Sequence, residues 1–192
     1  MASKVPEKDK NKVHKLSLKG VYPAEDFTAV KKYGLNMLVS SDDQVRAYIK
    51  KIMSQLDKWI VGGKVQKLVI VITDKDTGEH IERWQFDPPT EDNQENSSTT
   101  SEPPKEEKTE AEIQSEIAAI FRQITASVTF LPQLQGDCTF NVLVYADASS
   151  DVPVEWGDSD AKEIVNGERV QLRGFSTQSH KVETLVSYRL NE

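Results

Sequence analysis

The sequence predicts an α+β domain in which helices pack on a mostly antiparallel sheet. Two observations carry this. Apolar residues recur at helical spacing in three stretches, whereas five others alternate or run together with β-branched side chains. The coarse order, two helices, two strands, an insert, a helix, a strand, a loop and two strands, argues for helices on one face of such a sheet.

The elements follow in order. Residues 1–19 hold Lys, Asp and Pro without apolar periodicity and read as a disordered basic tail, a solvated terminus rather than a nucleic-acid arm. Residues 20–192 form one domain. Val21-Tyr22-Pro23 opens a first helix, with Pro23 at a first helical position and Phe27, Val30, Met37 and Leu38 following. A second helix takes Asp42 as N-cap and carries the stripe Val45, Tyr48, Ile49, Ile52, Leu56, Trp59 and Ile60 before Gly62-Gly63.

The period then becomes extended. Val65–Thr73 is a buried strand, Asp76-Thr77-Gly78 a turn, and His80–Phe86 the returning arm of a hairpin. In that arm Ile81, Arg83 and Gln85 take one face, and Glu82, Trp84 and Phe86 the other. Residues 88–108 are Pro, Glu, Ser, Thr, Asn and Lys with no large apolar residue, and read as a disordered acidic insert within the domain. Residues 110–130 make the longest helix, with Ile113, Ile117, Ile120, Phe121, Ile124 and Val128 on one face and weak helix formers in its last turn. Strands follow at 139–145, 168–175 and 181–190, with a polar loop at 147–167 that holds Trp156.

Composition narrows the function. The net charge is −7, but nine acids lie between Asp87 and Glu112; elsewhere 22 acids balance 22 bases. No basic field is left for a nucleic-acid backbone. No apolar run is long enough for a membrane helix, and the N-terminus lacks the apolar stretch of a secretory signal. The single cysteine, Cys138, fits a reducing compartment and a small buried side chain.

Catalytic patterns are missing. Gly62-Gly63-Lys64 lacks the flanking residues of a phosphate loop, and no nucleophile-elbow or zincin pattern occurs. His14 lies in the tail, while His80 and His180 sit near strand ends. The expectation is a non-enzymatic protein with no cofactor and no metal. Trp59 and Trp84 read as core aromatics, and Trp156 as packing for its loop.

Five segments, GVYPAEDFTAVKKYGL (20–35), VQKLVIVITDKDTGEHIERWQFD (65–87), IFRQITASVTFLPQL (120–134), VPVEWGDSDAKEI (152–164) and FSTQSHKVETLVSYRL (175–190), resemble the mitotic-arrest-deficient-2 family of HORMA-domain spindle-checkpoint proteins in a fungal-like version. The resemblance implies three helices on a central sheet and a mobile C-terminal safety belt, in an open empty state or a closed state with a partner peptide added as a strand. The implied peptide-binding residues are Phe140, Val142, Val144 and Tyr145 on the border strand, with Trp156, His180, Val182, Val186 and Tyr188 in the belt. A self-dimer of open and closed conformers would use Arg122, Gln123 and Phe130.

The implied partners are the mitotic-arrest-deficient-1 receptor at kinetochores and the cell-division-cycle-20 activator of the anaphase-promoting complex. The implied location is nucleus and kinetochore, with cytoplasm, and neither nucleic acid nor membrane is a partner. Another HORMA adaptor (a translesion polymerase accessory subunit or a meiotic axis protein) and a folding-defective isoform are the alternatives. One departure matters. The family carries a helix of ~30 Å before its VYP motif, whereas here Leu16–Gly20 runs straight into Val21. Its loss is expected to leave apolar faces uncovered.

Overall fold

The computed structural model describes residues 24–88, 108–147, 150–176 and 181–190. The basic tail, the junction at Gly20-Val21, most of the acidic insert and His180 lie outside these residues. After a 3-10 turn at Ala24–Asp26 come β1 (Phe27–Lys32), β2 (Leu35–Ser40), α1 (Asp43–Val61), β3 (Val65–Asp74), β4 (His80–Asp87), α2 (Glu110–Ser127), β5 (Cys138–Ala146), β6 (Glu168–Ser176) and β7 (Lys181–Tyr188).

The first expected helix is a hairpin instead. β1 and β2 pair antiparallel from Phe27↔Ser40 to Lys32↔Leu35, leaving Tyr33-Gly34 as a two-residue turn. Both turn residues have positive φ, 52° and 69°, as a tight hairpin twisted with its strands requires. The apolar spacing that suggested a helix is two alternating strands read across their turn. The hairpin tip is held by Tyr33, stacked on Phe121 of α2 with ring centroids 6.0 Å apart.

Both long helices begin as expected. Asp42 Oδ1 accepts from the backbone N–H of Gln44 (2.7 Å) and Val45 (3.1 Å), which satisfies two orphan donors of α1. Thr109 and Glu112 form a reciprocal capping box at the start of α2. α2 ends at Ser127, where Thr125, Ser127 and Thr129 hydroxyls bond carbonyls of the preceding turn.

β3 to β7 form one antiparallel sheet in the order β5-β3-β4-β7-β6. Its helix-side face carries Trp84, Val186 and Tyr188, packed with Leu131, Ile124 and Phe130. A second cluster, Leu56, Trp59 and Val65, fastens the end of α1 over β3 and β5. The other face is also covered, since Val69 and Val71, pointing away from the helices, are wholly buried.

Between α1, α2, β2 and the sheet lies an apolar groove of about 860 Å³, lined by Met37, Ile52, Ile70, Phe121, Ile124 and Val142 among others. A sealed void of that size would cost on the order of 20 kcal/mol at ~24 cal/mol per Å³. That exceeds the ~5–15 kcal/mol that holds a domain together, so the space is an open, wetted groove. Its lining leaves Met53 53% and Ile49 40% exposed.

Candidate peptide-docking border

A sheet of this order has two borders, and they differ. Beside β6 runs α2, whose Gln123 carboxamide oxygen accepts from the backbone N–H of Arg173 at 2.8 Å. One ladder position of that border is thereby occupied by a side chain. The other border is β5, which among the described residues pairs with β3 alone, in a register running from Val65↔Ala146 to Asp74↔Cys138. Phe140, Val142 and Val144 point to the helix side: Phe140 meets Tyr48 edge-on at 5.8 Å, Val142 lines the groove, and Val144 joins the Trp59 cluster. Tyr145 lies on the opposite face beneath the Lys67 ammonium, 5.8 Å from its ring centroid. The outer edge over Asn141–Tyr145 is a template on which an extended segment can pair.

The loop after β5 encloses this edge. Residues 151–156 run along α1 on the helix side. The Trp59 Nε1 donates to the Asp151 carbonyl (3.1 Å), Trp156 packs edge-on against Trp59 (5.0 Å), and Lys51 binds Glu155 (3.0 Å). Five residues later the chain is on the far face, where Arg83 Nε donates to the Ala161 carbonyl (3.2 Å). Arg83 stands level with Val71, and Val71 with Asn141 in the middle of β5. A crossing from face to face at mid-strand height passes round the border rather than round a strand end. Residues 157–160, all exposed, join the two attachments.

Not every residue expected at the site reaches it. Val182, Val186 and Tyr188 belong to β7, which pairs with β4 and β6, so β3 and β4 separate them from the β5 border. Val186 is fully buried and Tyr188 is 8% exposed, both in the Trp84 cluster. Phe130 is half-buried and packs against the same core, its ring 5.5 Å from that of Tyr188. Gln123 is engaged with β6, while Arg122 is exposed beside the groove. Trp156 does pack its loop, and Trp59 and Trp84 are core residues.

Burial and the carboxylates of Asp74, Glu82 and Asp137 push the Cys138 thiol up, which keeps it protonated and unreactive. Burial, with help from Lys162, holds His80 below its ordinary value, and its Nδ1 lies 3.0 Å from the Thr73 hydroxyl. Among the described residues there is no group of three or more His, Cys, Asp or Glu able to hold a metal, and no helix is long and apolar enough to cross a membrane.

Sequence and structure comparisons agree with this geometry. The HORMA domain family model matches residues 15–180. The mitotic spindle checkpoint component mad2 of Schizosaccharomyces pombe is 54% identical over 173 residues, covering 90% of this chain and 83% of its own. The mitotic spindle assembly checkpoint protein MAD2A of Homo sapiens is 42% identical, covering 90% and 82%. A chain in the crystal structure of a mitotic checkpoint complex superimposes with a TM-score of 0.78 at 50% identity, over 94% of this chain and 95% of that one. A more distant likeness, at 11% identity and a TM-score of 0.67, is to Caenorhabditis elegans HTP-2 bound to a HIM-3 closure motif, and speaks for the fold. The chain belongs to the HORMA domain family, and within it to the MAD2 branch of spindle-checkpoint components.

Proposed function

We propose that this chain works as a checkpoint adaptor without catalytic activity, taking partner peptides as a sixth strand on β5 beneath the 150–167 loop. The single observation that supports this most is the route of that loop, which passes from the helix face to the far face round the border at the height of Asn141. A peptide pairing there would satisfy its backbone along β5, and the side chains around it would select it. Because the loop must open before a peptide enters or leaves, both rates are slow; entry falls below the ~10⁵ M⁻¹s⁻¹ common for preformed surfaces.

The partners proposed are the receptor and the activator named above, the first placing the chain at kinetochores and the second restraining the anaphase-promoting complex. Location in the nucleus and cytoplasm follows from those partners. A self-dimer through the exposed face of α2 at Arg122 belongs to the same proposal. The test is binding of a labelled peptide from either partner to the purified chain. Saturable binding with slow exchange is expected, and a folded chain that binds neither peptide refutes the reading. The open groove favours one further possibility, that the chain folds with reduced stability and competes weakly. A broad, low-temperature melt together with weak binding would identify that state.

A further inference from the structure

We infer that Arg83 is the buckle of the belt: its guanidinium ties residues 161–163 to the back of the sheet and so governs how fast a captured strand leaves. The inference deepens the strand-addition reading and rests on it. Arg83 is a positioning residue in the middle of β4, and its side chain is only 3% exposed. An arginine in so central a strand needs every donor direction answered. Nη1 donates to Gln85 Oε1 (2.9 Å), Nε to the Ala161 carbonyl (3.2 Å), and Nη2 lies 3.3 Å from Glu163 Oε1. Gln85 is itself fixed, because its amide nitrogen reaches both Asp87 carboxylate oxygens at 2.9 Å. The planar fork presents its donors to a carbonyl and a carboxylate in fixed directions, which a flexible ammonium does not.

Two more features place the fastening here. The other oxygen of Glu163 is 3.8 Å from Arg169 Nη2 on β6. Arg83 and Arg169 both stand opposite Ser187 of β7. That second contact is exposed on both sides and adds little, so the carboxylate is held chiefly by Arg83. Lys162, between the two tethered residues, has φ 45°, a left-handed conformation that a lysine keeps only under constraint. At the other end of the belt the Lys51–Glu155 pair is more than half exposed on both sides and fastens little.

The experiment uses the full chain loaded with a labelled partner peptide and chased with unlabelled peptide, beside hydrogen exchange of the peptide-free chain. Glu163→Gln alters a half-exposed side chain that folding does not need, and Arg83→Lys keeps the charge but loses the fork. Each is expected to speed dissociation about tenfold, the loss of one charge-assisted bond. Exchange at 161–164 should rise by a similar factor, with β3 unchanged. The double variant should be no faster than Arg83→Lys alone, because both changes break one connection. Unchanged dissociation and exchange, or effects that multiply in the double variant, overturn the assignment. Should the unaltered chain bind no peptide, strand addition fails by itself. Exchange at 161–164 then still decides whether Arg83 fastens the loop: a rise in the variants upholds the fastening, and no change refutes it.

Discussion

Trp156→Ala tests the helix-side attachment of the belt quantitatively. Trp156 is half-buried, packs edge-on against Trp59 at 5.0 Å and borders the cluster of Leu56, Trp59 and Val65. An aromatic pair of this geometry contributes about 0.5–1.5 kcal/mol beyond area burial. Re-exposing a partly buried indole costs about 1–2 kcal/mol more. Together they give about 1.5–3.5 kcal/mol, spent on holding the loop rather than on the domain, since Trp59 keeps its place among Leu56 and Val65. At about 1.4 kcal/mol per tenfold, the release of a preloaded peptide should quicken by roughly 10–300-fold. The assay is displacement of a fluorescent peptide, with the thermal melt as control. Release within twofold of the unaltered chain, with binding intact, would mean that residues 151–156 do not guard the border.

Other consequences are simpler. His80 is held below its ordinary value first by burial and then by Lys162, so the stability it contributes is present above the unfolded-state value near 6.5 and declines as pH falls through the folded value; the melting midpoint should drop on acidification below about pH 6.5, and less steeply in His80→Gln. Gly34 has φ 69° with open space where a Cβ would stand, so Gly34→Ala should cost about 1 kcal/mol by strain alone, read by denaturant unfolding. Leu56 is 2% exposed and Met53 53%; Leu56→Ala should cost about 2–5 kcal/mol while Met53→Ala costs about 0.5 kcal/mol. Near-equal losses would mean that the groove is filled.

Much of this fold was legible because the signals were local. Asp42 and its apolar stripe announced α1, and the weak formers after Phe121 announced the end of α2. Val65–Thr73 and the Asp76-Thr77-Gly78 turn announced the central hairpin, although not the register shift at Ile72/Thr73. β1 and β2 were hidden because Phe27, Val30, Met37 and Leu38 mimic a helical period; Tyr33-Gly34 between two short β-prone runs was the turn signal that would have found them.

The border strand could be named from the resemblance, but not the path of the loop around it. That path depends on contacts across the chain, such as Trp59 with Asp151 and Arg83 with Ala161. Alternation put Ile81, Arg83 and Gln85 on one face without saying what covers it; the burial of Arg83, Val69 and Val71 shows that this face is covered. The place of β7 in the sheet was hidden for a related reason: strand order is a long-range property, and nothing in Val182, Val186 or Tyr188 states which neighbour they pair with.

The most direct measurement is residue-resolved hydrogen exchange with and without a saturating partner peptide, comparing the two borders of the sheet. The account predicts new, long-lived protection in β5 across Asn141–Tyr145 and in residues 157–160, with β6 unaltered. Protection that appears along β6, or in the groove between α1 and α2, while β5 exchanges as before, would contradict it.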